Sequence, residues 1–133
     1  MNGDVQQFLS GSLFAVIGAT SDRNKYGNKV LRCYLQNGRQ VVPVNPHAAS
    51  IEGLTVYPNL TSIGAKIDGI SIITPPKITD EVVQEALALG IRNIWMQPGA
   101  ESESAIKLAR QAGVNVIAHG PCLLVVLGYR EEA

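Results

Sequence analysis

The sequence predicts a doubly wound α/β fold, a parallel sheet held between two layers of helices. Two observations carry that reading. Three helix-like stretches each end in a glycine and lead at once into a short apolar run. Five strand-like runs are apolar nearly throughout rather than alternating, as in strands covered on both faces. Strand and helix in alternation assemble into a three-layer α/β/α sandwich, here with an expected strand order of 3-2-1-4-5.

The elements follow in order. Asp4–Ser10 is expected to form a short opening helix, and Leu13–Ile17 the first strand. Asn28–Asn37 places Val30, Leu31, Tyr34 and Leu35 at helical spacing and stops at Gly38, before the strand Gln40–Val44. A glycine in that place adopts the left-handed C′ conformation that other residues reach only with strain. Ala48–Lys66 is less regular, with a short extra strand near Thr55–Tyr57. Gly69–Ile73 is the third main strand. Thr79–Leu89 is a helix on Val82, Val83, Ala86 and Leu87, closed by Gly90 and followed by the strand Asn93–Met96. Ser102–Ala112, Gly113 and Asn115–Ala118 repeat the pattern. Asp80, Glu81, Glu101 and Glu103 are read in first helical turns, where the helix dipole favours acids. Leu123–Leu127 reads as a final edge strand or a loop packed on the core.

Composition narrows the function. The 133 residues suit one domain, residues 1–133, and 46% apolar content rules out intrinsic disorder. Eleven basic and eleven acidic residues are scattered, without the basic stripe of a nucleic-acid binder. Two cysteines, Cys33 and Cys122, exclude a disulfide framework. No apolar run approaches a membrane span, and no apolar segment follows a basic start, so a cytoplasmic protein without a signal peptide is expected. No Cys/His cluster has metal-ligand spacing, and no metal site is expected.

Open α/β sheets bind ligands beyond the carboxyl ends of their strands. The residues there are Gly18 to Gly27, Asn45-Pro46-His47, Thr74-Pro75-Pro76-Lys77, Gln97-Pro98-Gly99 and His119-Gly120-Pro121-Cys122. In the first loop, Gly18 permits a tight turn, and free amides at a helix start cradle phosphate. Arg23 and Lys25 add cations that can bond phosphate oxygens. The dinucleotide fingerprint is missing: after Gly18 the next glycine is Gly27, and the second strand ends in Asn45 rather than an acid. No Gly-Lys-Ser/Thr loop occurs either.

The stretches Ala15-Val16-Ile17-Gly18-Ala19-Thr20, Tyr26-Gly27 opening a helix, Val42-Pro43-Val44-Asn45-Pro46 and Ile73-Thr74-Pro75-Pro76 resemble the CoA-binding-domain family. The likeness spans roughly residues 10–128. It includes the small stand-alone CoA-binding proteins of the YccU type and the N-terminal domain of the succinyl-CoA synthetase alpha subunit, all Rossmann-like. The resemblance implies a coenzyme A site. Gly18, Ala19, Thr20 and Ser21 would wrap the phosphates, with Arg23 and Lys25 beside them. Asn45, Pro46 and His47 would meet the nucleotide end, and Ile73, Thr74 and Pro75 the pantetheine arm. His47 and Ala48 stand where the synthetase has a lysine. The small proteins often carry Asp-Arg-Cys after the fifth strand; here the cysteine matches and the acid and arginine do not. The synthetase's phosphohistidine belongs to a second domain without a counterpart in this sequence, so the resemblance implies a binding module and no ligase.

Single residues carry further expectations. Gln97 lies at the ligand edge, where it can meet a thioester or a pantetheine amide. Cys122 either forms a mixed disulfide with the CoA thiol or packs as an inert small side chain. Cys33 reads as a core residue inside a helix, and Trp95 and Met96 as strand core. His119 has no nucleophile and orienting acid evident beside it, so a peripheral histidine is expected. The expected function is binding of CoA or acyl-CoA, accessory or regulatory to acyl-CoA metabolism and without catalysis of its own. A homodimer or an acyl-CoA enzyme would be its partner. An NAD(P)-dependent oxidoreductase, an acyltransferase, or an acyl-CoA synthetase subunit completed by another chain stand as alternatives.

Overall fold

Five parallel strands form the main sheet: β1 (Leu13–Ile17), β2 (Gln40–Val44), β5 (Gly69–Ile72), β6 (Asn93–Met96) and β7 (Asn115–Ile117). They belong to a computed structural model that describes residues 3–131. A two-stranded antiparallel hairpin, β3 (Ser50–Ile51) with β4 (Leu54–Thr55), stands apart from the sheet. The helices are α1 (Val5–Leu9), α2 (Tyr26–Gln36), α3 (Pro76–Ala88), α4 (Glu103–Gln111) and α5 (Leu123–Leu127).

Side chains of β1 alternate between two cores, as the period of a strand requires. Phe14 and Val16 join Phe8 of α1, Val30, Leu31 and Tyr34 of α2 and Leu123 of α5. Ala15 and Ile17 join Val82, Val83 and Ala86 of α3 and Ala105, Ile106 and Ala109 of α4 on the opposite face. The fold is therefore the three-layer, Rossmann-like sandwich that the sequence predicts.

The strand order differs from the expected one. It runs β2-β1-β5-β6-β7, so the third main strand lies beside the first rather than beyond the second. All four residues of β5 are buried, which suits a central strand. The outer flank of β2 is instead met by Tyr57, through one parallel bridge to Val44. The extra strand expected near Thr55–Tyr57 is replaced by β4 and that bridge.

Three other boundaries move. α2 starts two residues early, at Tyr26. α3 starts at Pro76, with Pro75 as its N-cap, because a proline suits the first helical position, where its missing N–H costs nothing. Asp80 and Glu81 consequently lie in the second turn of α3. Leu123–Leu127 is neither strand nor loop but the helix α5, capped by Cys122 and ended by Gly128 at φ 77°. Leu123 is buried on the core side while Val125 is 78% exposed. A one-sided burial of that kind is met by a single helical turn.

Candidate functional site

With β1 flanked by β2 on one side and β5 on the other, successive crossovers leave opposite faces of the sheet. That switch point opens a crevice at the carboxyl ends of the strands. The chain there is drawn unusually tight. Gly18 holds φ at 96°, and a Cβ on it would come 3.0 Å from the Ile73 carbonyl oxygen. A Cβ on Gly27 would run into the Gly18 carbonyl. The two glycines thus let the start of α2 sit directly on the turn after β1. Lys25 caps α2 without a side-chain bond, and the amides of Tyr26 and Gly27 have no protein partner among the described residues.

The turn is braced from behind by polar groups that the core would otherwise exclude. Asn28 is fully buried; its amide donates to the Thr20 carbonyl at 2.8 Å and to Glu52 at 3.1 Å. Its oxygen accepts from Arg32 Nε at 2.6 Å, and Arg32 donates onward to the Arg23 carbonyl at 2.8 Å. From the other side, Asn45 donates to the Ala19 carbonyl at 2.8 Å, and its side-chain oxygen accepts from the His47 amide at 2.7 Å. Loop 18–25 is therefore held at both ends by side chains of α2 and of the turn after β2.

Two clefts meet on this loop. One, of about 480 Å³, is lined by Gly18, Ala19, Thr20, Lys25, Tyr26, Gly27, Asn45 and Ile73. The other, of about 390 Å³, is mostly apolar. Ile17, Val44, Pro46, Leu60, Ile78 and Val82 line it, together with the polar Asn45, His47, Asn59 and Thr74 and the acids Glu81 and Glu85. Gly18 and Asn45 belong to both. Of the residues singled out in the sequence, nine line these clefts: Gly18, Ala19, Thr20, Lys25, Asn45, Pro46, His47, Ile73 and Thr74. Ser21 and Pro75 do not. Arg23 pairs with Glu52, Nε to Oε2 at 3.3 Å, so its guanidinium is already engaged. Gln97 and Cys122 lie behind Tyr26, whose hydroxyl meets both.

Other sequence readings find their places. Trp95, Met96 and Cys33 are buried, and burial pushes the Cys33 thiol up to about 11. His119 is exposed at φ 54°, with Nε2 at 2.5 Å from Glu103 and away from both clefts. Sequence reasoning quoted Tyr26 only as a motif residue, and it missed Asn28, Arg32 and the apolar residues Leu60 and Ile78. The Asn28–Arg32 pair did leave a signal, polar side chains four residues apart on an otherwise apolar helix face. Leu60 left none, since its place depends on how residues 45–68 fold back over β2.

A family model described as "CoA binding domain" matches residues 12–128. The chain belongs to that family. As a CoA-binding-domain chain it is similar to ADP-forming acetate–CoA ligase I of Archaeoglobus fulgidus, 26% identical over 90% of this chain and 19% of the relative. It is also similar to the alpha subunit of ADP-forming acetate–CoA ligase II of Pyrococcus furiosus, 24% identical over 83% of this chain and 26% of the relative. The chain thus spans about a fifth to a quarter of these curated relatives. Among solved structures, a conserved hypothetical protein of Pyrococcus furiosus superposes with a TM-score of 0.81 at 37% identity, covering 87% of this chain and 99% of that one. The dinucleotide-forming acetyl-coenzyme A synthetase 1 of Candidatus Korarchaeum cryptofilum, in complex with phosphate and ADP, gives 0.76 at 27% identity, covering 86% of this chain and 27% of that one. No helix among the described residues is long and apolar enough to cross a membrane.

Proposed function

We propose that residues 1–133 act as a single cytoplasmic domain that binds coenzyme A or an acyl-CoA, as a stand-alone module accessory or regulatory to acyl-CoA metabolism. The observation that carries this reading is the pair of clefts joined at Gly18 and Asn45. One presents free backbone amides and Lys25, which suit phosphate; the other presents an apolar wall, which suits a nucleotide base or a pantetheine arm. The Gly18–Gly27 approach supports the fit, because a side chain at Gly27 would push the start of α2 off the turn after β1. The residues that would hold the ligand are Gly18, Ala19, Thr20, Lys25, Asn45 and Thr74. With Arg23 held by Glu52, Lys25 is the cation in place for phosphate.

Titration calorimetry tests the reading. CoA, with a 3′-phosphate and a diphosphate, should bind more tightly than NAD or NADP, and more weakly as salt rises. Each charge-assisted contact contributes about 1.5–3 kcal/mol. NAD binding equal to or tighter than CoA binding overturns it. A second reading draws on the ligase alpha subunit, which the chain matches over 83% of its own length. There the module is completed by a partner chain, and co-purification of a large nucleotide-binding subunit would favour it.

A further inference from the structure

Gln97 follows β6 at the carboxyl edge of the sheet, and its side chain is wholly buried. Nevertheless its Nε2 has no hydrogen-bond partner among the described residues. The orientation of the amide is settled by its other end. Oε1 accepts from the Leu123 amide at 2.9 Å, so exchanging the two ends would set two donors against each other. Oε1 also accepts from the Tyr26 hydroxyl at 3.2 Å, and Tyr26 Oη lies against Cys122 Sγ. Burial, followed by the bond to Cys122, raises the Tyr26 pKa, so the phenol keeps its proton. One arrangement satisfies these groups together. The Cys122 S–H donates to Tyr26 Oη, and Tyr26 O–H donates to Gln97 Oε1. Both lone pairs of Oε1 are then used, and only the hydrogens of Nε2 remain unmet.

A buried polar group left in that state calls for an explanation, and an acceptor that arrives with a ligand is one. Tyr26 lines the cleft at Gly18 and Gly27 and also bonds Gln97, so it links the cleft to the buried amide. What is left open is a donor with no acceptor beside it. A pantetheine amide brings an N–H of its own and would be left unpaired here. A thioester carbonyl accepts and donates nothing, so it matches.

We propose that Tyr26, Gln97 and Cys122 form the subsite for the acyl end of an acyl thioester, with Gln97 Nε2 donating to the thioester carbonyl. The proposal rests on the CoA reading and sharpens it: the module distinguishes acyl-CoA from CoA. Entry of the carbonyl requires the Tyr26 ring to turn aside, while the Leu123 amide keeps Oε1 in place.

The test compares acetyl-CoA with S-ethyl-CoA, a thioether of nearly the same size that lacks the carbonyl, and with free CoA, on the unaltered protein by calorimetry. Acetyl-CoA is expected to bind about tenfold more tightly than S-ethyl-CoA, as one hydrogen bond to a buried donor allows. Gln97→Met removes both polar ends at similar volume. In Gln97→Met the preference for acetyl-CoA over S-ethyl-CoA should vanish. Equal binding of acetyl-CoA and S-ethyl-CoA to the unaltered protein, with CoA bound, overturns this inference and leaves the CoA reading intact. A full acetyl preference in Gln97→Met also overturns it. Failure of all three compounds to bind removes both readings together.

Discussion

Two glycines nine residues apart decide how close a ligand can come to the backbone. Gly18 is the more informative to change, because its φ of 96° and the Ile73 carbonyl at 3.0 Å from a built Cβ act together. In Gly18→Val the branched side chain is forced into a conformation that costs roughly 1–2 kcal/mol, and it crowds the amides of the loop. CoA binding should fall below detection by calorimetry, with a native far-UV dichroism spectrum and a modest loss of stability. Normal CoA binding by the variant would show that Gly18 does not line the site. Gly18 was legible in the sequence because small residues after a first strand are a local signal. The engagement of Arg23 by Glu52 was not, since the two residues lie 29 positions apart and meet only when the β3–β4 turn folds against the loop.

The start of β1 shows how an element is anchored. Asp68, just before β5, accepts from the Ser12 amide at 2.8 Å and the Leu13 amide at 3.0 Å. These two backbone bonds hold its carboxyl below the usual aspartate range. A group whose pKa is depressed on folding contributes stability above its unfolded pKa, and that contribution is lost as pH falls through the folded one. Asp68→Asn should therefore lower the urea midpoint at neutral pH. The gap from the parent protein should narrow below about pH 4, where the unfolded aspartate begins to protonate. A gap of constant size from pH 7 to pH 3 would assign the effect to shape rather than to charge. Asp68 is half-buried, so solvent screening reduces the effect.

The whole sheet responds to the site because the clefts join residues of β1 and β2, of the turn after β5 and of α2 and α3. A ligand that binds only this assembled edge stabilises the entire fold by mass action. At a free concentration one hundred times its dissociation constant, CoA should add about 2.7 kcal/mol. For a chain of this length that corresponds to a melting temperature higher by roughly 8–15 °C. NAD at the same concentration should give a smaller rise. A thermal shift that is equal for the two, or absent for CoA, would contradict the assignment of the ligand.

The sequence by itself determined the class of fold, because apolar runs and helix-ending glycines are local features that read out one element at a time. Strands Leu13–Ile17, Gln40–Val44 and Asn93–Met96 begin and end where their side chains say they should. Strand order needed the tertiary structure: an apolar run shows that β5 is buried but not which neighbour buries it. Leu123–Leu127 is ambiguous for the same reason, since five apolar residues suit a strand or a turn of helix until Leu123 meets α2 and Val125 meets solvent. The site divides along that line. The loop proposed to hold phosphate was visible as Gly18 to Lys25, a contiguous segment. The cluster of Tyr26, Gln97 and Cys122 spans 96 residues of chain, and only the packing of α2 and α5 over the ends of β6 and β7 brings the three together.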